Sequence, residues 1–430
     1  VSLYVGGDTK PLRAIYNDTM VNANVTNACS WSSSNPGIVR VEQGVLYPVS
    51  AGMAWVTATY QNSKGTVSAS CQVTVDDHDP TKCGDNLYWN IDDSGTMTIT
   101  GTGDMWDYYY YMGDRTTAPW FDKKPKKLVV SEGCTSIGAS SFSACGSLRS
   151  IQLPGTLETI YDFAFADCTA LTRIQLPQNL TYLGIRAFMN CTGLSGNLVI
   201  PDGVSVIHEG TFEGCTSLSG KLTLPASLDW IDERAFYGCP LTGTLSLPDG
   251  LTSIYDEAFN GCNFSGPLKL PASLEEVYYD AFAGIHFTGD LVISEKLAHT
   301  STRYAFTYAH FTGGLKLPES TASIPDSAFE GASFGGDVTI PGKVTVIDSW
   351  AFYSCDIDGK LTLPASLKEI KDHVFANSSI GGDVWYLGTA EDWAKVKIGE
   401  ENETLTTATI HFSDGTTNKD PANTDNAVKT

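Results

Sequence analysis

The sequence predicts a β-rich, multidomain chain in which a small antiparallel β-sandwich precedes a long solenoid of parallel coils. Three observations predict it. A phenylalanine recurs at Phe142, Phe165, Phe188, Phe212, Phe236, Phe259, Phe282, Phe306, Phe329, Phe352 and Phe375, every step being 23 or 24 residues. A proline keeps pace at Pro154, Pro177, Pro201, Pro225, Pro248, Pro271, Pro318, Pro341 and Pro364. The first 77 residues lack that period and instead alternate apolar and polar residues in short runs between turn signals. Self-similarity at a fixed period of this size marks stacked supersecondary units.

Taken in order, residues 1–77 read as the sandwich. Its strands fall around Val39–Val41, Val45–Leu46, Trp55–Tyr60 and Cys71–Val75, with turns at Asn35-Pro36-Gly37, Ala51-Gly52 and Lys64-Gly65. A polar linker, Asp76-Asp77-His78-Asp79-Pro80, follows. Residues 78–130 read as an N-terminal cap. It has strands near Leu87–Ile91 and Thr96–Thr100, and then the aromatic cluster Trp106, Tyr108, Tyr109, Tyr110, Tyr111, Trp120 and Phe121. Residues 131–383 hold eleven repeats. Residues 384–415 read as a C-terminal cap, with a short helix from about Thr389 to Val396 and a last strand at Thr409–Phe412. Residues 416–430 are polar and read as a disordered tail.

The repeat unit is roughly L-x-L-P-x-x-L-x-x-I-x-x-x-A-F-x-x-C-x-x-L-x-G. Its L-x-L part alternates with period two, as Leu222 and Leu224 do, so both leucines face one side of a strand. Proline ends that strand because it has no N–H to give a ladder. The segment from the next leucine to A-F returns across the coil as short turns or 3₁₀ pieces. One unit cannot bury its apolar side, whereas a stack can. Eleven coils at about 4.8 Å each would span roughly 50 Å. Repeats seven to nine lose the cysteine, and the repeat around 286–304 also loses the proline, which predicts a looser core or a bend there.

Composition narrows the function. The chain has 27 Lys and Arg against 49 Asp and Glu, a net charge of -22. That balance argues against nucleic acid, which needs clustered basic residues. No apolar run reaches the roughly 18 residues a membrane span needs, so no membrane insertion is expected. The chain begins at Val1 inside what reads as a strand and shows no anchor motif before Thr430, so truncation of a longer protein is the expectation.

Residues 131–383 resemble the BspA-like class of bacterial leucine-rich repeats, whose units run close to C-x-x-L-x-x-I-x-I-P-x-x-L-x-x-I-x-x-x-A-F. The run Cys83–Trp89, then Thr98–Gly103 and Pro119-Trp120, resembles the start of such arrays. The run Val384–Thr389, then Asp392-Trp393, Ile398-Gly399 and Asn402, resembles their end. Residues 1–75 are similar to the group 2 bacterial immunoglobulin-like domain through Trp31–Pro36, Ala51-Gly52 and Val73-Thr74-Val75. The resemblance implies a secreted or cell-surface protein that adheres to a host matrix protein or to a cell-surface protein or glycan. It carries no shared catalytic residues.

The candidate residues follow from these patterns. The strand-centre positions Gln152, Gln175, Thr223, Ser246, Lys269, Lys316, Thr339 and Thr362 alternate outward from the buried leucines and form a candidate binding face. Such residues also suit any exposed sheet. Trp230, Tyr255, Tyr278 and Trp350, with Tyr161 and Tyr279, suggest an aromatic row along one edge that would suit a glycan or protein. The cluster at 106–121 reads either as a contact patch or as the seal on the first coil. The ladder cysteines at Cys145, Cys168, Cys191, Cys215, Cys239, Cys262 and Cys355 read as buried thiols in a small apolar slot that Ile285, Ala309, Ala332 and Ser378 also fill. Their Cβ spacing of about 4.8 Å exceeds the roughly 3.8 Å of a disulfide. Cys29 and Cys71, on two strands of the Ig-like domain, are expected to pair, while pairing of Cys83 with Cys134 is left open.

No enzyme is expected. There is no G-x-S-x-G elbow or phosphate-binding loop, and carboxylate pairs such as Asp232-Glu233 and Asp256-Glu257 recur at one coil position, as a solvated edge would. No metal and no cofactor are expected: the seven histidines are scattered, and Asp76–Asp79 offers at most a loose Ca²⁺ contact. The expectation is a monomeric binding or adhesion protein. The alternatives are a structural spacer of a larger surface protein and a glycan-binding accessory module.

Overall fold

The computed structural model describes residues 1–4, 9–17, 22–76, 81–111, 115–297 and 304–419. Residues 77–80 of the acidic linker, with the Ca²⁺ contact suggested for them, lie outside the described residues, as do His299 and the tail from 420. The chain divides into two compact units, Val1–Cys83 and Gly84–Thr430.

In the first unit the long strands Gly52–Asn62 and Gly65–Asp76 pair antiparallel, because the turn between them leaves Asn62 opposite Gly65. Ser30–Ser33 adds to one side of that pair and Ser2–Tyr4 to the other. Lys10–Pro11, Val45–Pro48 and Val39–Glu42 form a second sheet. One apolar core, Leu3, Val39, Leu46, Ala54, Val56, Val73 and Val75, draws on both sheets, an arrangement compatible with a sandwich.

The expected disulfide in this unit is absent: Cys29 and Cys71 are both free. Register gives the reason. Cys71 lies opposite Val56, and Val56 opposite Ser33, whereas Cys29 precedes Ser30, which faces Thr59. The two cysteines are thus two strands apart, about 10 Å laterally, and several residues apart lengthwise. A disulfide needs Cα atoms within about 7 Å. Cys83 and Cys134 are buried and carry no disulfide either.

The second unit is a solenoid of parallel rungs. The strand Thr96–Met105 starts it, pairing in parallel with both Lys127–Val130 and Cys134–Ile137. The L-x-L segments form one column of short strands, from Ser150–Gln152 through Leu222–Thr223 and Leu315–Lys316 to Ile410–Phe412. The return segment, read as turns or 3₁₀ pieces, also contributes a second column, as at Thr159–Ile160, Trp230–Ile231 and Val346–Ile347. A third column begins at Thr242–Gly243 and runs to Ser379–Ile380. It begins where the spacing from the cysteine slot to the next apolar residue shortens from three, as in Cys215 to Leu218, to two, as in Cys239 to Leu241. A spacing of two is the strand period.

The recurrent phenylalanines stack as parallel rings down the interior. Centroids from Phe142 to Phe306 are 5.2–5.7 Å apart. The stack resumes from Phe329 to Phe375 at 5.4 and 5.6 Å. Each buried ring contributes about 1.5–3 kcal/mol of burial. A second file runs beside the first through the coils without the cysteine: Phe287, Phe311 and Phe334 stack on one another and meet the first file edge-on, as Phe264 already does in the coil that keeps Cys262.

The cysteine slot is more than small and apolar. Cys168 Sγ donates to the Phe142 carbonyl at 3.2 Å, Cys191, Cys215 and Cys239 repeat the bond one coil after another, and Cys355 makes it to Phe329 further along. Ser378 Oγ takes the same role toward Phe352 at 2.6 Å. Burial pushes the Cys145 thiol up to about 12 and the Cys168, Cys262 and Cys355 thiols well above their ordinary value.

Both ends are sealed. Trp120 is fully buried, stacks on Phe142 at 5.3 Å and donates its indole N–H to the Ser141 carbonyl, with Trp89 and Tyr108 edge-on to it. At the other end buried Asn402 accepts from the Phe375 N–H at 3.0 Å and donates to the Lys371 carbonyl at 2.9 Å. The C-terminal segment holds two short helices, Ala390–Trp393 and Glu403–Thr407, where the sequence suggested one.

Candidate functional site

The outward positions of the L-x-L column form a file down one side of the solenoid. Gln152, Gln175, Thr223, Ser246, Lys269, Lys316 and Thr339 are exposed on it; all but Gln152 adjoin a buried residue that period two turns inward, and Gln152 lies between the half-buried Ile151 and Leu153. Thr362 is the exception, only 8% exposed. It lies directly opposite Trp385 in the next rung, and the Lys360 ammonium sits 4.5 Å over that indole, so large neighbours cover the small side chain.

Two members of the file escaped the sequence reading because they are apolar. Val199 and Val292 are 51% and 50% exposed, paired in register with Thr223 and Lys316. The period alone would have found them, since each follows an inward leucine at the same place in its coil. At the C-terminal end the file closes on Trp385 and His411, whose rings stack at 4.5 Å.

Midway the column's hydrogen bonding thins. Only an isolated bridge joins Ser246 to Lys269, and Pro267 removes a donor from the second of these rungs. A groove of about 560 Å³ opens there, lined by Thr244, Ser246, Pro248, Asp249, Pro267 and Lys269 among others. Two of the sequence-selected residues thereby share one concavity.

The aromatic edge is not one row. Trp230, Tyr255 and Trp350 occupy three different places relative to the phenylalanine of their coil: six, four and two residues before it. Tyr255 and Tyr278 share a place and stack at 4.8 Å. Trp350 stacks instead on His373 at 4.3 Å, and Tyr161 meets Tyr182. Of the 106–121 cluster, Trp120 belongs to the seal, while Tyr109 is well exposed.

Of the acidic pairs Asp232-Glu233 and Asp256-Glu257, only Glu257 makes an ion pair with a described residue, as part of a ladder that also takes in Glu209 and Glu213. Arg186 bridges Glu209 at 2.6 Å and Glu213, and Arg234 bridges Glu213 at 3.1 Å and Glu257 at 3.3 Å, stitching successive coils. Burial, then the neighbouring Glu209 and Asp256, raises the Glu233 carboxyl. Burial likewise raises Asp280, one of whose oxygens has no partner. Among the described residues, no three His, Cys, Asp or Glu side chains converge so as to hold a metal ion.

A family model for the BspA type leucine-rich repeat region matches in six copies, over residues 121–196, 195–312 and 267–381. The chain belongs to the BspA-type leucine-rich repeat family. The stacked phenylalanines, the cysteine slot and the L-x-L column are thus this chain's form of the BspA-type coil. Solved structures of other bacterial proteins are similar to parts of this chain. A leucine-rich cell surface protein from Faecalibacterium prausnitzii is 20% identical over 75% of this chain and 98% of its own, with a TM-score of 0.36. A leucine-rich repeat protein from Bacteroides ovatus is 18% identical over 71% and 99%, with a TM-score of 0.41. The pneumococcal vaccine antigen PcpA is 14% identical over 77% and 96%, with a TM-score of 0.33. A search of curated proteins found no match. Among the described residues, no helix is long and apolar enough to cross a membrane.

Proposed function

We propose that this chain is a non-catalytic binding protein of a bacterial surface that holds a macromolecular partner against the L-x-L face of its solenoid. One observation carries the reading: the face exposes Val199 and Val292 beside uncharged polar and basic side chains along one regular file. Stacked repeats present extended regular surfaces of this kind to their partners. On the neighbouring edge, Glu209, Glu213 and Glu257 are tied up in ion pairs with Arg186 and Arg234. The partner classes that fit are a host matrix protein and a cell-surface protein or glycan, bound by a monomer.

The test is a binding screen of the intact chain against matrix proteins, mucins and glycans. A saturable hit should be lost in Val199→Arg and Thr223→Arg and kept in Trp230→Ala. A hit indifferent to both strand-face changes would refute the assignment of the face. Silence from a folded chain would favour a spacer.

A further inference from the structure

The L-x-L face is electrostatically unlike the rest of the molecule. From Lys127 to Lys269 its outward positions read Lys-Val, Ser-Gln, Arg-Gln, Asn-Val, Lys-Thr, Thr-Ser and Pro-Lys, rung by rung, without a carboxylate. Yet the chain carries 49 acidic residues against 27 basic ones. Lys127, Arg173, Lys221 and Lys269 are all exposed, and none makes an ion pair with a described residue. Some basic residues elsewhere, Arg186, Arg234, Lys296 and Lys371 among them, are paired, while others such as Lys343, Lys368 and Lys397 make no ion pair with a described residue but do not form a regular file on this face.

Spacing adds to sign. Lys127 faces Ser150, and Ser150 bridges to Arg173, so one basic residue falls on every second rung. Lys221 and Lys269 continue the alternation. Rungs stack at about 4.8 Å, so the charges recur about every 10 Å over about 29 Å. Beyond Lys269 the face changes. Asp290, Asp337 and Asp383 enter it, and Lys316 pairs with Asp290. The unopposed charge is confined to the N-terminal half, which ends in the groove at Ser246 and Lys269.

We propose that this half of the face binds a linear anionic polysaccharide laid along the solenoid axis. Its sulfate or carboxylate groups meet Lys127, Arg173, Lys221 and Lys269, and its hydroxyls meet Gln152, Gln175, Thr223 and Ser246. The inference rests on the reading of this face as the binding surface. A charge at every second rung suits a polymer whose charged group recurs with each disaccharide. Duplex DNA carries a charge about every 1.7 Å and would demand a denser basic surface. A single-stranded nucleic acid would want aromatic platforms, and the outward positions of these seven rungs include none. An acidic protein partner would want a central aromatic or arginine pocket, whereas this stretch is a flat file ending in a shallow groove.

The experiment measures binding of the intact chain to heparin across a salt series. Poly-glutamate, a single-stranded oligonucleotide and neutral dextran serve as comparison probes. Four counterion-releasing contacts at about 0.7 each give a log–log salt slope near −2.8, so doubling the salt should weaken binding about sevenfold. The variant Lys127→Gln/Arg173→Gln/Lys221→Gln/Lys269→Gln should lose binding while keeping the wild-type melting profile. The variant Lys343→Gln/Lys368→Gln/Lys395→Gln/Lys397→Gln, with the same change in net charge, should retain it. Three results overturn the proposal: no heparin binding at low salt, equal loss in both variants, or tighter binding of the oligonucleotide or poly-glutamate. A protein partner lost in Val199→Arg, from a chain that ignores heparin, would leave the face as the binding surface and remove the polysaccharide.

Discussion

Asn402 offers the sharpest test of how the solenoid ends. It sits just before the helix Glu403–Thr407, yet its side chain makes no capping bond to that helix. Instead its Oδ1 accepts from the Phe375 N–H, and its Nδ2 donates to the carbonyls of Lys371, Gly399 and Glu400 at 2.9–3.2 Å. Asn402→Ala would strand the Phe375 donor and the Lys371 acceptor beneath the last coil. An orphaned buried group costs about 1–3 kcal/mol, so the pair should cost about 2–6 kcal/mol. Coils couple mainly to their neighbours, so the loss should concentrate near the C-terminus. Asn402→Asp is the finer probe. It keeps the acceptor but points a carboxylate oxygen at three carbonyls, which raises its folded pKa above the unfolded value of about 3.9. Its penalty should be full above the raised pKa and shrink as pH falls through it, because the protonated acid can donate again. Hydrogen exchange of residues 352–412 with thermal melts at pH 4 and pH 7 would read this. An Asn402→Asp chain as protected as wild type at pH 7 would refute the reasoning, as would protection lost evenly back to Phe142.

Other outcomes follow from the same geometry. Asp280 has a raised pKa, chiefly from burial, so ionising it costs stability above its folded pKa and the cost vanishes below about pH 3.9. Asp280→Asn, at a left-handed residue (φ 53°) that asparagine tolerates, should therefore raise the melting temperature at pH 7 and not at pH 3; no gain at pH 7 would count against it. Tyr308 adopts φ 55° where sister coils place Gly238, Gly261 or Asn377, so Tyr308→Asn should gain up to about 1 kcal/mol in thermal unfolding. Native thiol titration at pH 8 should label Cys29 and Cys71 and spare the ladder cysteines, whereas denaturation should release all eleven thiols; nine would mean that the first unit carries a disulfide.

Much of this architecture is legible in one dimension because the repeat makes it so. A column of identical positions reports its environment eleven times over, and period two around each inward leucine assigns the outward file without coordinates. The interior phenylalanines, the strand-ending prolines and the parallel stacking all follow from local pattern and from the need of each coil for a neighbour. Tertiary structure decided what depends on the residue one coil away. Thr362 is covered because Trp385 lies opposite it, and the aromatic edge breaks up because its members sit at different places in their coils. The cysteine slot acquires a hydrogen bond because a thiol meets the carbonyl of the preceding coil's phenylalanine. Cys29 and Cys71 stay apart because strand order in the first unit is set by pairings that no local alternation specifies. The charge file also needed the stack: Lys127, Arg173, Lys221 and Lys269 lie 46 to 48 residues apart in sequence, and only parallel rungs bring them onto one face, with Lys269 two positions along its strand from the line of the other three.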